Sequence, residues 1–192
     1  MLKSKTVSTF YEADINALVL RGLREFEGLD GLRFASGTAK AIIYPTDDVC
    51  LNEEQYNAIV SILKGGEDMT VIQCGWSNNF FAEDRIAYTF CEPFCYEEYS
   101  KLDFFSPSII FSSLHEWIII IDESLNGGEA LIVGDPNRIA QFLKTNDNGI
   151  HDLLRFVSFY LNDAWERSYK TDYLKKMIHL LLPTDDQRDG NL

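Results

Sequence analysis

The segment Trp117-Ile118-Ile119-Ile120-Ile121, flanked by Glu116 and Asp122, admits one reading. Its five apolar residues are far short of the roughly 20 needed to cross a bilayer, and four of them are β-branched, which favours a strand. A half-exposed strand would alternate apolar with polar side chains; an unbroken apolar run predicts a central strand covered on both faces. Ile109-Ile110-Phe111 precedes it and Glu129 to Val133 follows, the latter after the polar stretch Asp122-Glu123-Ser124-Leu125-Asn126-Gly127-Gly128. Strand, polar turn and strand predict a β-hairpin with a long turn. Gly134-Asp135-Pro136 then places a carboxylate at a helix N-cap and proline at the first helical position, and Ile139, Phe142 and Leu143 continue a short helix.

Upstream, Ile15, Leu18, Val19, Leu23 and Phe26 recur at helical spacing, so an amphipathic helix is predicted over Asp14 to Phe26, stopped by Gly28 and Gly31. A strand is predicted within Arg33 to Tyr44, closed by Pro45. Asn52 followed by Glu53 and Glu54 signals a capped helix carrying Tyr56, Ile59, Val60 and Leu63, ended by Gly65-Gly66. Thr70 to Cys74 reads as a short buried strand, and Gly75 to Asn79 as an exposed loop. Residues 80 to 105 read as irregular, with one strand at Ile86 to Phe90. From Ile150 to Leu182 apolar residues recur at steps of three and four, with a kink or division expected at Tyr169 to Asp172. The fold class predicted is α+β: a mostly antiparallel central sheet with a long hairpin, helices packed against it and a helical C-terminal region. A single domain over 1–184 and a flexible tail over 185–192 are expected.

With 46% hydrophobic and 24% charged residues in 192 the composition is that of a globular chain. Thirty acidic against 17 basic side chains give a net charge of −13, which disfavours a phosphate backbone or an anionic membrane as partner. From Ile86 to Asn137 nine carboxylates face a single base, Lys101. The N-terminus has basic residues without a following apolar stretch, so a cytoplasmic location is expected. There Cys50, Cys74, Cys91 and Cys95 would be reduced thiols, and the Cys91–Cys95 spacing is neither a redox pair nor a zinc knuckle. No phosphate-binding glycine loop is present, and Gly127-Gly128 and Gly134 read as turn and cap residues. No cofactor or metal is expected.

His115 lies beside Glu116 and close to Ser112 and Ser113, so a small hydrolase using His115 with a nearby serine or carboxylate is one alternative. Against it, no Gly-x-Ser-x-Gly elbow occurs, and neighbours on a strand point to different faces, so a polar histidine at a strand edge is the plainer reading. Asp122, Glu123, Glu129 and Asp135 could gather oxygens for a hard cation, but without EF-hand spacing a solvated acidic rim is preferred. The acidic, aromatic-bearing middle carries more weight. Aromatics give contact area and carboxylates steer a cationic partner, so Glu92, Glu97, Glu98, Asp122, Glu123 and Asp135 are the candidate residues for binding a basic protein. A third reading, a regulatory or scaffold subunit docking through the C-terminal helices, requires an exposed apolar stripe between Ile150 and Leu182.

The stretch Ser106-Pro107-Ser108-Ile109-Ile110-Phe111-Ser112-Ser113-Leu114-His115-Glu116-Trp117-Ile118-Ile119-Ile120-Ile121-Asp122, with Gly127-Gly128 and Ile132-Val133-Gly134-Asp135, resembles the central hairpin of bacterial toxin-immunity proteins of polymorphic-toxin and contact-dependent inhibition systems. The resemblance implies a small cytoplasmic acidic protein without catalysis of its own, which neutralises a basic, nuclease-like toxin by covering its active site.

Overall fold

A computed structural model describes residues 2–6, 12, 15–47, 49–73, 79–82, 85–102, 107–122, 128–146, 149–162 and 167–182. The strands are β1 (Leu2–Thr6), β2 (Val19–Arg21), β3 (Arg33–Phe34), β4 (Ala39–Ile43), β5 (Met69–Gln73), β6 (Ile86–Phe90), β7 (Ser108–Ser112), β8 (Trp117–Asp122) and β9 (Glu129–Gly134). The helices are α1 (Glu53–Ser61), α2 (Tyr96–Ser100), α3 (Pro136–Thr145), α4 (Gly149–Asn162) and α5 (Arg167–Leu181), with a 3-10 turn at Leu29–Gly31. Seven strands form one antiparallel sheet in the order β1-β6-β5-β7-β8-β9-β4, and β2 and β3 make a separate ribbon. The fold is therefore α+β, as the sequence predicts.

Strand β8 is the third strand from the β4 edge, and Trp117 to Ile121 are all buried. Its side chains alternate between two cores. Ile118 and Ile120 face one with Leu131, Val133, Ile42, Phe156 of α4, and Leu174 and Met177 of α5. Trp117, Ile119 and Ile121 face the other with Ile110, Ile132, Tyr56 and Ile59 of α1, Tyr99 of α2, and Ile139 and Phe142 of α3. A sheet between two helical layers has no solvent-facing side, which is why its central strands carry no alternation.

Helix α1 starts on a capping box: Asn52 accepts from Gln55 N, and Gln55 Oε1 accepts from Asn52 N, each at 3.0 Å. Helix α3 begins with Asp135 accepting from Asn137 N at 2.9 Å and Arg138 N at 3.2 Å, with Pro136 behind it. The chain entering β8 leaves no room for a side chain at Gly134, where a Cβ would sit 2.4 Å from the Glu116 carbonyl oxygen.

Four expectations need correcting. Over 14–26 the described residues form no continuous helix: Val19–Arg21 is strand β2 and Gly22 sits at φ 109. Of the five apolar positions Ile15, Val19, Leu23 and Phe26 are buried and Leu18 is half-buried, but a left-handed glycine inside the run rules out a helix through it. The strand expected within 33–44 is two, β3 and β4, separated by a turn holding Gly37 at φ 78. The region taken as irregular contains α2 as well as β6. The C-terminal helices divide between Asn162 and Arg167, ahead of the expected 169–172. Strand β1 was not foreseen, because its alternation of polar with short side chains leaves no apolar face to read. The expected exposed loop falls largely on 74–78 and the tail on 185–192, both outside the described residues.

Candidate partner-binding surface

Strand register places the acidic candidates. Asp122 pairs with Glu129 at one end of β8 and β9, whereas Trp117 pairs with Gly134 at the other. Asp135 therefore stands at the opposite end of the sheet from Asp122, and Glu123 lies outside the described residues. Glu92 follows β6 where Phe90 pairs with Met69, at the Asp135 end, and is exposed. The chain then crosses the helical face to α2, where Glu97 is exposed and Glu98 half-buried. The six residues thus do not make one patch.

Glu97 and Glu98 instead join carboxylates that the sequence reading passed over. Helix α2 packs on the N-terminus of α1, with Leu51 N donating to Tyr99 Oη at 3.0 Å, and α1 begins at the Asp122 end, since Thr46 N donates to the Gly128 carbonyl at 2.9 Å. Three tyrosines hold this contact: the rings of Tyr56 and Tyr99 are 4.9 Å apart, Tyr56 and Tyr96 5.5 Å, and Tyr96 and Tyr99 6.1 Å. Burial first, then the Cys95 thiol and Glu98, push the Tyr56 phenol up to about 12. The Tyr96 phenol is also raised, by burial first, then Cys50, Asp47 and Glu53. Those shifts register burial of the rings first and neighbouring acidic groups second. Asp47, Glu53, Glu54 and Glu97 are exposed here, and Lys101 approaches Glu97 only at 4.0 Å between two exposed side chains, a contact of little energetic weight. Tyr96 remains partly exposed among them. Of the aromatics over 80–105, Phe80, Phe90 and Tyr99 are core.

Glu129 is not part of a solvated rim. It is 3% exposed, and it accepts from Tyr160 Oη of α4 at 3.0 Å and from Tyr173 Oη of α5. Burial raises its carboxyl to about 7, the two phenols oppose the rise, and Asp122 and Asp30 add to it. Among the described residues no group of three metal-ligating side chains could hold an ion.

At the opposite end Arg138 joins α1, β8 and α3. Its guanidinium donates to the Ile62 carbonyl, to Glu67 Oε2 at 3.1 Å and to Glu116 Oε2 at 2.6 Å. Lys64 Nζ reaches both Glu116 oxygens at 2.8 Å, and these two cations, Lys64 first, hold the Glu116 carboxyl below its ordinary value. The cavity at the start of β8 is lined by this network and by Asp135, Asn137 and Gln141. His115 is not part of that lining. It turns at φ 53 between β7 and β8, with its ring stacked on Phe111 at 5.8 Å.

Seven antiparallel strands between two helical layers, with a tyrosine-centred acidic surface at one end, define the class of this protein. No family model, curated protein or solved structure matches the chain. No helix among the described residues is long and apolar enough to cross a membrane.

Proposed function

We propose that the protein is a non-catalytic cytoplasmic binding protein, an immunity protein whose acidic surface covers a basic, nuclease-like toxin domain. The supporting observation is the grouping of Asp47, Glu53, Glu97 and Glu98 around the Tyr56–Tyr96–Tyr99 cluster. Carboxylates around the partly exposed Tyr96, which the buried Tyr56 and Tyr99 hold in place, offer a cationic partner an aromatic contact and charge complementarity. The hairpin resemblance points the same way. The test is capture of the partner from the source cell by the tagged protein, elution in a salt gradient and binding measurements on what is recovered. A basic protein released at moderate salt is expected, and Asp47→Lys, Glu53→Lys and Glu97→Lys together should weaken it by about 100-fold or more. Asp172→Lys on α5 should leave it unchanged. Equal affinity and equal salt dependence of the wild type and the triple variant would sink the proposal.

A second reading, docking through the C-terminal helices, is favoured by one observation. Leu153, Leu154 and Leu161 of α4, with Ile178 of α5 and Leu182 beyond it, are all exposed. Lone exposed aliphatic residues are ordinary, but five within this helical region supply the exposed apolar side chains that docking through it requires.

A further inference from the structure

A cavity among the described residues is lined differently from the acidic surface and has a different charge character. A cleft of about 600 Å³ opens between edge strand β4, ribbon strand β3, the turn at Leu29–Gly31 and helix α5. Arg33, Lys40, Lys176 and His179 line it together with Phe34 and Leu180. A neighbouring cleft of about 570 Å³ shares Glu27, Gly31 and Arg33 with it and adds Arg21 and Arg24. Cations converge here in a chain whose net charge is −13.

Internal pairing accounts for only part of them: Arg24 donates to both Glu12 oxygens, Nη2 to Oε2 at 2.8 Å. Lys176 is held by Asp30 at 2.7 Å. Arg33 spends one nitrogen on the carbonyls of Leu32 at 2.7 Å and Asp30 at 3.4 Å. Among the described residues, neither Arg33 nor Lys40 has a carboxylate partner. Lys40 is half-buried with its ammonium 5.7 Å from the Phe34 ring centroid, and burial lowers its proton affinity. A half-buried lysine over an aromatic ring, beside an exposed arginine fork with donors left over, presents two cations that an anion would complete. The volume falls in the range of about 300–1,000 Å³ typical of sites for small organic ligands.

We infer that this cleft binds a small organic dianion, of the phosphate monoester class, whose flat apolar body lies against Phe34 and Leu180 while its head meets Arg33 and Lys40. An arginine fork and a lysine point charge suit a phosphate, and two unpartnered cations match two negative charges better than one. The apolar wall explains why the ligand is organic rather than a bare ion. Glu27, exposed where the two clefts meet, opposes the anion and keeps the affinity moderate. The site is independent of the acidic surface and does not rest on the immunity reading.

The test titrates phenyl phosphate, inorganic phosphate, phenol and benzoate into the isotope-labelled full chain and follows backbone amide resonances by NMR. Phenyl phosphate should shift Gly31, Phe34 and Lys40 and bind about tenfold or more tighter than each of the other three probes. Lys40→Met, which keeps the apolar stem, and Arg33→Gln should each weaken it by about tenfold, while Glu27→Gln should tighten it several-fold. Each variant's amide spectrum away from the cleft reports its folding. The inference is overturned if no probe binds there, if benzoate or inorganic phosphate binds as tightly as phenyl phosphate, or if correctly folded Lys40→Met and Arg33→Gln bind like the wild type.

Discussion

Glu129 is a carboxylate spent on architecture. It sits on β9, cross-strand from Asp122, and its two oxygens collect a tyrosine hydroxyl from α4 and another from α5. Its carboxyl is raised from 4.5 to about 7, so its proton is held more tightly in the folded than in the unfolded chain. Stability from this source is fully present below pH 4.5 and is lost as pH rises through about 7. The loss amounts to at most about 3 kcal/mol. Replacing Glu129 with glutamine removes the titration, so chemical denaturation at pH 5 and pH 8 should show the wild type losing more stability than Glu129→Gln over that interval. Parallel behaviour would mean that another group, such as Asp152, whose carboxyl is also raised by burial, governs the pH response.

At the scale of elements, Arg138 fastens α1, β8 and α3, and its side chain is 6% exposed against 1% for Glu67. Removing one member of such a pair strands the other. Arg138→Met should therefore cost about 3–5 kcal/mol in urea denaturation, and adding Glu67→Leu should recover at least half of the loss. A double variant less stable than the single one would show that Glu67 matters more through its bond from Lys64 N, at 2.7 Å. This network is invisible in the sequence, because Lys64, Glu67, Glu116 and Arg138 are dispersed over three segments and carry no spacing rule. The same holds for Arg33, Lys40 and Lys176, which meet only once β4 and α5 pack together. What can be read is local: the Ile118–Ile121 run, the caps at Asn52 and Asp135, and the short strand at Ile86 to Phe90. At 14–26 the buried positions were legible but the backbone was not, since period-four burial can be met by a turn and a short strand when a glycine interrupts the run. The acidic surface was half legible, because Glu97 and Glu98 stand in an evident charge run while Asp47 and Glu53 reach them only through the packing of α1 on α2.

At the scale of the whole molecule, the described residues spread charge unevenly. The acidic end belongs to α1 and α2, while the described outer face of α4 and α5 carries Arg155, Lys175 and Lys176 and five exposed aliphatic side chains, with Asp172 paired to Lys175 at 3.2 Å. If the leucines of α4 are an interface, Leu154→Glu with Leu161→Glu should leave the melting temperature within a few degrees of the wild type, as surface changes do. The same variant should lose any self-association seen by light scattering across a concentration series, or capture of any partner that survives the Asp47, Glu53 and Glu97 reversal. A wild type that stays monomeric and captures nothing through this face would end that reading. The strand order carries a further consequence, for the time course of folding. The inner strands β5 to β9 span residues 69 to 134 and pair with near neighbours in the chain, but both edges, β1 and β4, come from the first 43 residues. Strand β4 finds β9 only across some ninety intervening residues, a loop whose closure slows assembly. The two edge pairings are thus the slowest to close, and until β1 and β4 arrive both flanks of an isoleucine-rich sheet stand open to other chains.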